Sequence, residues 1–280
     1  MQVGIGLPTT TPGADRTLFL EWVQKAEQGP FSSLGVFDRL AYNSYDPLVS
    51  LSAAAAITNR IRLATTILTG PLYNNALLAK SLASLDALSG GRLVVGLGLG
   101  ARESDYDLAG IPHRSRGRRF GEQLAALRSI WEADTIGPKT ACAGGPPLLV
   151  GGLSDQTFAR MARYANGYLH GGGPPQTFAK AAEKARAAWL DAGRPDRLQL
   201  WGMGYYALGE EAVESGTNYL RQYYEFTGPF AERIAAGLLK TPQALVQFIR
   251  GYQEAGCEEL ILFPTVSSLT QLDRLADEIG

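Results

Sequence analysis

Eight short apolar runs recur along this chain, and each is followed by a longer stretch with helical periodicity. The strand-like runs are Val3–Leu7, Ser33–Asp38, Ile61–Leu68, Arg92–Gly100, Pro147–Gly152, Asn166–Gly173, Arg197–Leu208 and Glu258–Pro264. Helices are expected over Leu18–Gln28, Pro47–Thr58, Ala76–Ser89, Gly117–Glu132, Ser154–Tyr164 and Phe178–Ala192, through a long region Val213–Tyr252, and over Leu269–Ile279. Asp15 suits an N-cap, Pro47 a first helical turn, and Gly90-Gly91 a helix stop. Strands alternating with helices imply parallel pairing and right-handed crossovers. Eight such units of about 35 residues, with no obvious linker, point to the α/β class: a (β/α)8 TIM barrel, one domain over residues 1–280. A doubly wound open sheet is the alternative.

The fourth run, LVVGLGLGARESDY, contains G-x-G-x-x-A in Gly96, Gly98 and Ala101. A dinucleotide fingerprint belongs to the first βαβ unit, is followed at once by a helix, and has an acid ending the next strand. Here the run is fourth, Gly110 and Pro112 interrupt the segment after it, and the next strand ends in glycine. On a barrel strand, Gly96 and Gly98 share one face, and bare positions let a ligand or another backbone come close. A tightly packed interior of small residues is the plainer reading. Gly100 to Tyr106 then lies at the C-terminal rim, where barrel active sites form.

Composition narrows the classes further. Net charge is −1 and the densest basic cluster, Arg114 to Arg119, has acids on both sides, which argues against a nucleic-acid partner. Cys142 and Cys257, 115 residues apart, form no CxxC pair and no disulfide framework. The N-terminus lacks the basic and apolar segments of a signal peptide, and no apolar run approaches the roughly 18 residues that cross a bilayer. These features lead us to expect a cytoplasmic protein without a membrane partner. Two distant histidines, His113 and His170, make no metal site, and no G-x-S-x-G elbow is present.

The segment from Ile61 to Ile111 resembles the luciferase-like flavin monooxygenases, a family that includes users of a 5-deazaflavin coenzyme. LGVFDRL, GRRFGEQLAALRSIWE, PLLVGGLSDQTFARMARYANGYLHGG and AGCEELILFP extend the resemblance over nearly the whole chain. It implies a TIM barrel that binds FMN or a deazaflavin (F-420 type) at the C-terminal ends of its strands. The first expectation is a monooxygenase that uses O2 and reduced FMN from a separate flavin reductase to oxidise a small organic substrate. The alternative is deazaflavin-dependent hydride transfer, and the third a flavin-binding barrel without turnover. The family often forms dimers, so a homo-oligomer is expected.

The resemblance also places site residues. Thr66-Ile67 matches the position of a non-proline cis peptide that backs the flavin ring. Asp38 and Arg39 end the second strand, where relatives often carry a histidine active in proton transfer. Arginine is a poor acid–base group. Arg39 is therefore expected to hold an anionic substrate or charge on reduced flavin, or to form a structural pair with an aspartate. Gly98, Gly100, Arg102, Glu103 and Tyr106 are candidates for cofactor contact on the fourth loop, although Leu99 and Ala101 stand where some relatives have Arg and Glu. Gly151, Gly152, Ser154 and Thr157 are candidates for the cofactor phosphate, because glycines end a strand and Ser154 opens a helix with free N–H groups. Simple N-capping by Ser154 has the same signature. His170 is a candidate proton donor, and Tyr223 to Leu239 a candidate lid. Nothing in the sequence names the substrate.

Overall fold

The computed structural model describes residues 1–133 and 136–280. Its strands are β1 (Gln2–Gly6), β2 (Ser33–Val36), β3 (Arg62–Thr69), β4 (Leu93–Gly98), β5 (Leu148–Gly151), β6 (Gly167–Leu169), β7 (Gln199–Tyr206) and β8 (Glu259–Pro264). They join in chain order as a closed parallel barrel, the (β/α)8 class expected from the alternation of runs. β3 and β4 pair from Leu63↔Leu93 to Thr69↔Gly98, and their register slips between Thr65 and Leu68. One extra residue on β3 is thus left out of the ladder, as in a bulge.

The helices are α1 (Arg16–Gln28), α2 (Pro47–Ala56), α3 (Asn75–Leu88), α4 (Glu103–Leu108), α5 (Arg116–Glu132), α6 (Asp155–Tyr164), α7 (Pro175–Asp191), α8 (Glu210–Tyr223), α9 (Phe230–Ala236), α10 (Pro242–Glu254) and α11 (Leu269–Ile279). Asp15 caps α1 as expected, its Oδ1 accepting the Leu18 N–H at 2.8 Å. Pro47 stands in the first turn of α2.

Three elements differ from the sequence reading. β6 has three residues rather than eight, because Gly172 and Gly173 adopt φ of +97° and +108°, which no strand can continue. α4 forms where a loop was expected, and Gly110 stops it at φ +66°. The region Val213–Tyr252 is broken into α8, a single 3-10 turn, α9 and α10, with Gly228 at φ +59° and Pro242 in the first turn of α10. Among the described residues no helix is long and apolar enough to cross a membrane.

The chain divides into two compact units. The first comprises Met1–Gly35, His170–Glu183 and Leu200–Gly280. In it the bare positions Gly6 and Gly35 make room for the Phe263 ring, which would lie 2.1 Å and 2.9 Å from a Cβ at either glycine. The second comprises Val36–Leu169 and Lys184–Gln199. Arg92 ties its helices to its strands: Nη1 donates to Thr58 Oγ1 and the Ile61 carbonyl, Nη2 to the Thr58 carbonyl and Nε to the Ser89 carbonyl. Each of these acceptors would otherwise lose a partner on burial.

Candidate active site

All the candidate catalytic and cofactor residues except His170 belong to the second unit; His170 and the candidate lid, Tyr223 to Leu239, belong to the first. The peptide between Thr66 and Ile67 is cis, as the resemblance implied. It lies within the β3 bulge, and the two hydroxyls that precede it tie β3 to both neighbouring strands: Thr65 Oγ1 donates to the Gly96 carbonyl at 2.8 Å and Thr66 Oγ1 to the Val36 carbonyl at 2.9 Å. The bulge turns the half-buried Ile67 side chain onto the glycines of β4 and β5. A Cβ would fall 2.0 Å from Ile67 Cδ1 at Gly98, and 3.2 Å and 3.3 Å from Ile67 Cγ2 at Gly96 and Gly151. The bare wall therefore receives Ile67 and the Thr65 carbonyl, which a Cβ at Gly96 would meet at 2.3 Å. The neighbour that glycine admits here is the chain itself.

Asp38 follows β2 and is drawn against β3 beyond the bulge. Its Oδ2 accepts the Thr69 N–H at 2.8 Å and the Tyr73 hydroxyl at 3.1 Å. Burial raises its carboxyl from the ordinary value to about 6, against the opposing pull of those two donors. Asp38 is thus a carboxyl that keeps or releases a proton close to neutral pH.

Arg39 turns to a different carboxylate. Its Nε lies 3.5 Å from Asp105 Oδ2, with both side chains buried, and its guanidinium stands 4.7 Å over the Tyr42 ring. Asp105 Oδ1 also accepts the Ala41 N–H at 2.7 Å. Arg39 thus pairs with Asp105 and not with its neighbour Asp38, and the pair ties the loop after β2 to α4. Tyr106, on the same helix, is buried, and its hydroxyl donates to the Leu99 carbonyl. Burial pushes that phenol up to about 12, so it acts as a donor that pins the loop after β4. Glu103 is exposed and reaches His113 Nδ1 at 3.2 Å, and Arg102 caps α4 without a side-chain bond to it. Gly100 takes φ +66°, and a Cβ there would meet Thr69 Cγ2 at 2.5 Å.

The turn after β5 opens α6. Ser154 caps it, its hydroxyl accepting the Thr157 N–H at 3.3 Å and meeting Thr157 Oγ1 at 3.1 Å. Gly152 lies at φ +137°, a Cβ there would come within 2.6 Å of Thr157 Oγ1, and its carbonyl accepts the Tyr168 hydroxyl at 2.9 Å. Thr157 is buried, while Gly152 and Ser154 are exposed.

His170 lies in the first unit and is buried there, with Nε2 3.3 Å from Thr177 Oγ1 and its ring edge-on to Phe178. Burial lowers it to about 4, so the ring is neutral at physiological pH. In the same unit the Tyr205 and Tyr224 hydroxyls meet at 2.6 Å within a group of tilted and edge-on tyrosines, and Phe226 and Phe230 are exposed.

Sequence reasoning passed over Tyr73 and Asp105. Asp105 stands between two candidates in ARESDY, and only a helical face, invisible while the segment read as a loop, marks it as inward.

The luciferase-like monooxygenase family matches residues 1–257 of the chain. The protein belongs to that family. Monooxygenases of this family are oxidoreductases, and an FMNH2-dependent enzyme is among the relatives. A protein of Mycobacterium tuberculosis without an assigned activity is 29% identical over 220 residues, 66% of this chain and 76% of that one. The 5,10-methylenetetrahydromethanopterin reductase of Methanolobus tindarius is 26% identical over 206 residues, 69% of this chain and 62% of that one. The FMNH2-dependent dimethylsulfone monooxygenase of Pseudomonas fluorescens is 24% identical over 254 residues, 74% and 69% of the two chains. Two solved structures share the fold: a monooxygenase from Streptomyces bottropensis (TM-score 0.80, 22% identity, 100% and 98% covered) and an F420-dependent secondary alcohol dehydrogenase (TM-score 0.80, 19% identity, 99% and 98% covered).

Proposed function

We propose that this protein carries out a two-electron reduction of a small organic molecule, with hydride and proton delivered together, using a reduced flavin-type cofactor held by the second unit. Asp38 is the observation that carries the reading. Reducing a carbonyl or imine requires a proton at the heteroatom as well as a hydride at carbon, and a half-buried carboxyl raised to about 6 is protonated in part of its population close to neutral pH and can deliver that proton. β3 is hydrogen-bonded to the β2 side on both sides of Ile67, through Thr66 to Val36 and through Thr69 to Asp38. The acid is thereby fixed relative to the bulge.

The residues present fit such a cofactor. Ile67, half-buried on its glycine bed, offers an apolar surface for a planar ring, which no side chain at Gly98 could share. Gly152, Ser154, Asp155 and Gln156, exposed residues at the start of α6, offer N–H groups to a phosphate. A reduced deazaflavin bound there would supply the hydride; Asp38 would supply the proton, and the Arg39–Asp105 pair would hold the loop that borders it. The M. tindarius reductase among the relatives supports this reading.

The second reading is oxygenation with O2 and reduced FMN from a separate reductase, supported by the P. fluorescens monooxygenase. Anaerobic stopped-flow separates the two. Reduced deazaflavin should be oxidised by small ketones or imines without oxygen, and Asp38→Asn should slow this by about 10²-fold or more. Turnover seen only with reduced FMN and oxygen would establish the second reading instead.

A further inference from the structure

We propose that Tyr73 is a positioning residue for Asp38: by donating to Oδ2, beside the Thr69 N–H, it leaves Oδ1 as the oxygen that carries and delivers the proton. This rests on the reading of Asp38 as the proton-transfer group.

Both donors converge on one oxygen, at 2.8 Å from Thr69 N and 3.1 Å from Tyr73 OH. An oxygen that accepts two hydrogen bonds has no lone pair directed toward a third partner, so the proton of the neutral acid resides on the other oxygen. The Thr69 N–H comes with the strand. Tyr73 does not, and the turn that presents it is clamped. Its own N–H donates to the Gly70 carbonyl at 3.0 Å, Gln123 Nε2 donates to the same carbonyl at 2.9 Å, and Arg119 Nε donates to the Pro71 carbonyl at 3.1 Å. Gly70 lets α5 come this close, because a Cβ there would lie 2.3 Å from Gln123 Oε1. Tyr73 lines an open pocket of about 350 Å3 together with Asn74 and Arg119.

The phenol is a fixed donor and not a second acid. Burial, with Asp38 and Asp46 beside it, drives its pKa far above the ordinary value. The other charges facing Asp38 are Asp46, the cap of α2, and Asp105 of α4, which both disfavour the carboxylate; Asp105 is in turn paired with Arg39. Against these, the Tyr73 hydroxyl and the Thr69 N–H favour it.

The test is a 13C titration of aspartate carboxyls in the cofactor-free protein, with Asp38 assigned from Asp38→Asn. Wild type should titrate near 6. Tyr73→Phe removes a donor to the charged form and should move the midpoint up by about half a unit to one unit. A 3,5-difluorotyrosine at position 73, a stronger donor of the same shape, should move it down, which guards against a misfolded Phe variant. An Asp38 that titrates near 4 in wild type overturns the proton-transfer reading itself. A wild-type midpoint near 6 that neither variant shifts leaves that reading standing and overturns the role of Tyr73.

Discussion

The Cδ1 methyl of Ile67 occupies the space that a side chain at position 98 would need, since a Cβ on Gly98 would lie 2.0 Å from it. Gly98→Ala should therefore cost about 1–3 kcal/mol through overpacking. Ile67→Val, which deletes that methyl, should cost about 0.5–1.5 kcal/mol by itself. Denaturant unfolding of both singles and the double should show a double variant well above the sum in stability. Simple additivity would mean that the two residues do not share this space.

Asp38 gives stability a pH dependence whose sign is fixed by its raised pKa. The folded carboxyl, at about 6, binds its proton more tightly than the unfolded one, at 3.8. Its favourable contribution is thus complete below about 4 and is lost as pH rises through 6. Asp38→Asn keeps an acceptor oxygen and removes the ionisation. Relative to wild type, the variant should gain on the order of 2 kcal/mol between pH 4 and pH 7. Parallel pH curves for the two proteins would count against a half-buried, raised carboxyl.

His170 has the opposite sign. Its folded pKa, about 4, lies below the ordinary 6.5. Its contribution is present above 6.5 and is lost as pH falls toward 4, because the unfolded chain takes up the proton first. Two-dimensional NMR of the imidazole should find a neutral ring at pH 6, and a ring half-charged there would refute the burial argument.

The loop acids separate by burial. Asp105→Ala removes the buried carboxylate beside Arg39 and should cost about 3 kcal/mol or more, whereas Glu103→Ala, at an exposed pair, should stay within about 0.5 kcal/mol of wild type. Equal losses in thermal unfolding would contradict the assignment of Arg39 to Asp105.

Ser154 can be a helix cap, a phosphate ligand or both, and two substitutions distinguish them. Ser154→Ala should cost about 1 kcal/mol of stability as a lost cap. Ser154→Asp retains a capping oxygen but places negative charge where a phosphate would bind. It should leave stability unchanged and weaken cofactor binding at least about tenfold, a loss of roughly 1.4 kcal/mol. Unaltered affinity would reduce Ser154 to a cap.

Much of this arrangement is legible in the sequence because it rests on local signals. Alternating runs mark the eight strands, and Asp15 and Pro47 mark helix starts by side-chain chemistry that acts within one turn. The cis Thr66-Ile67 peptide came from resemblance and not from the composition of a β-branched pair. What stayed hidden depends on pairing across the chain. Tyr73 reaches Asp38 over 35 positions and Asp105 reaches Arg39 over 66, and no spacing rule connects either pair. The glycines of LVVGLGLG announced a close neighbour correctly, but only the bulge of β3 identifies that neighbour as Ile67.

A cofactor on the Ile67 bed, with its phosphate at the start of α6, is tested most directly by anaerobic fluorescence titration of the protein with the reduced deazaflavin and with reduced FMN, repeated on Gly98→Ala and Ser154→Asp. Saturable binding of at least one of them is expected at micromolar concentration or below, weakened about tenfold or more in both variants. Binding of neither, or binding that both variants leave untouched, would contradict this placement of the cofactor.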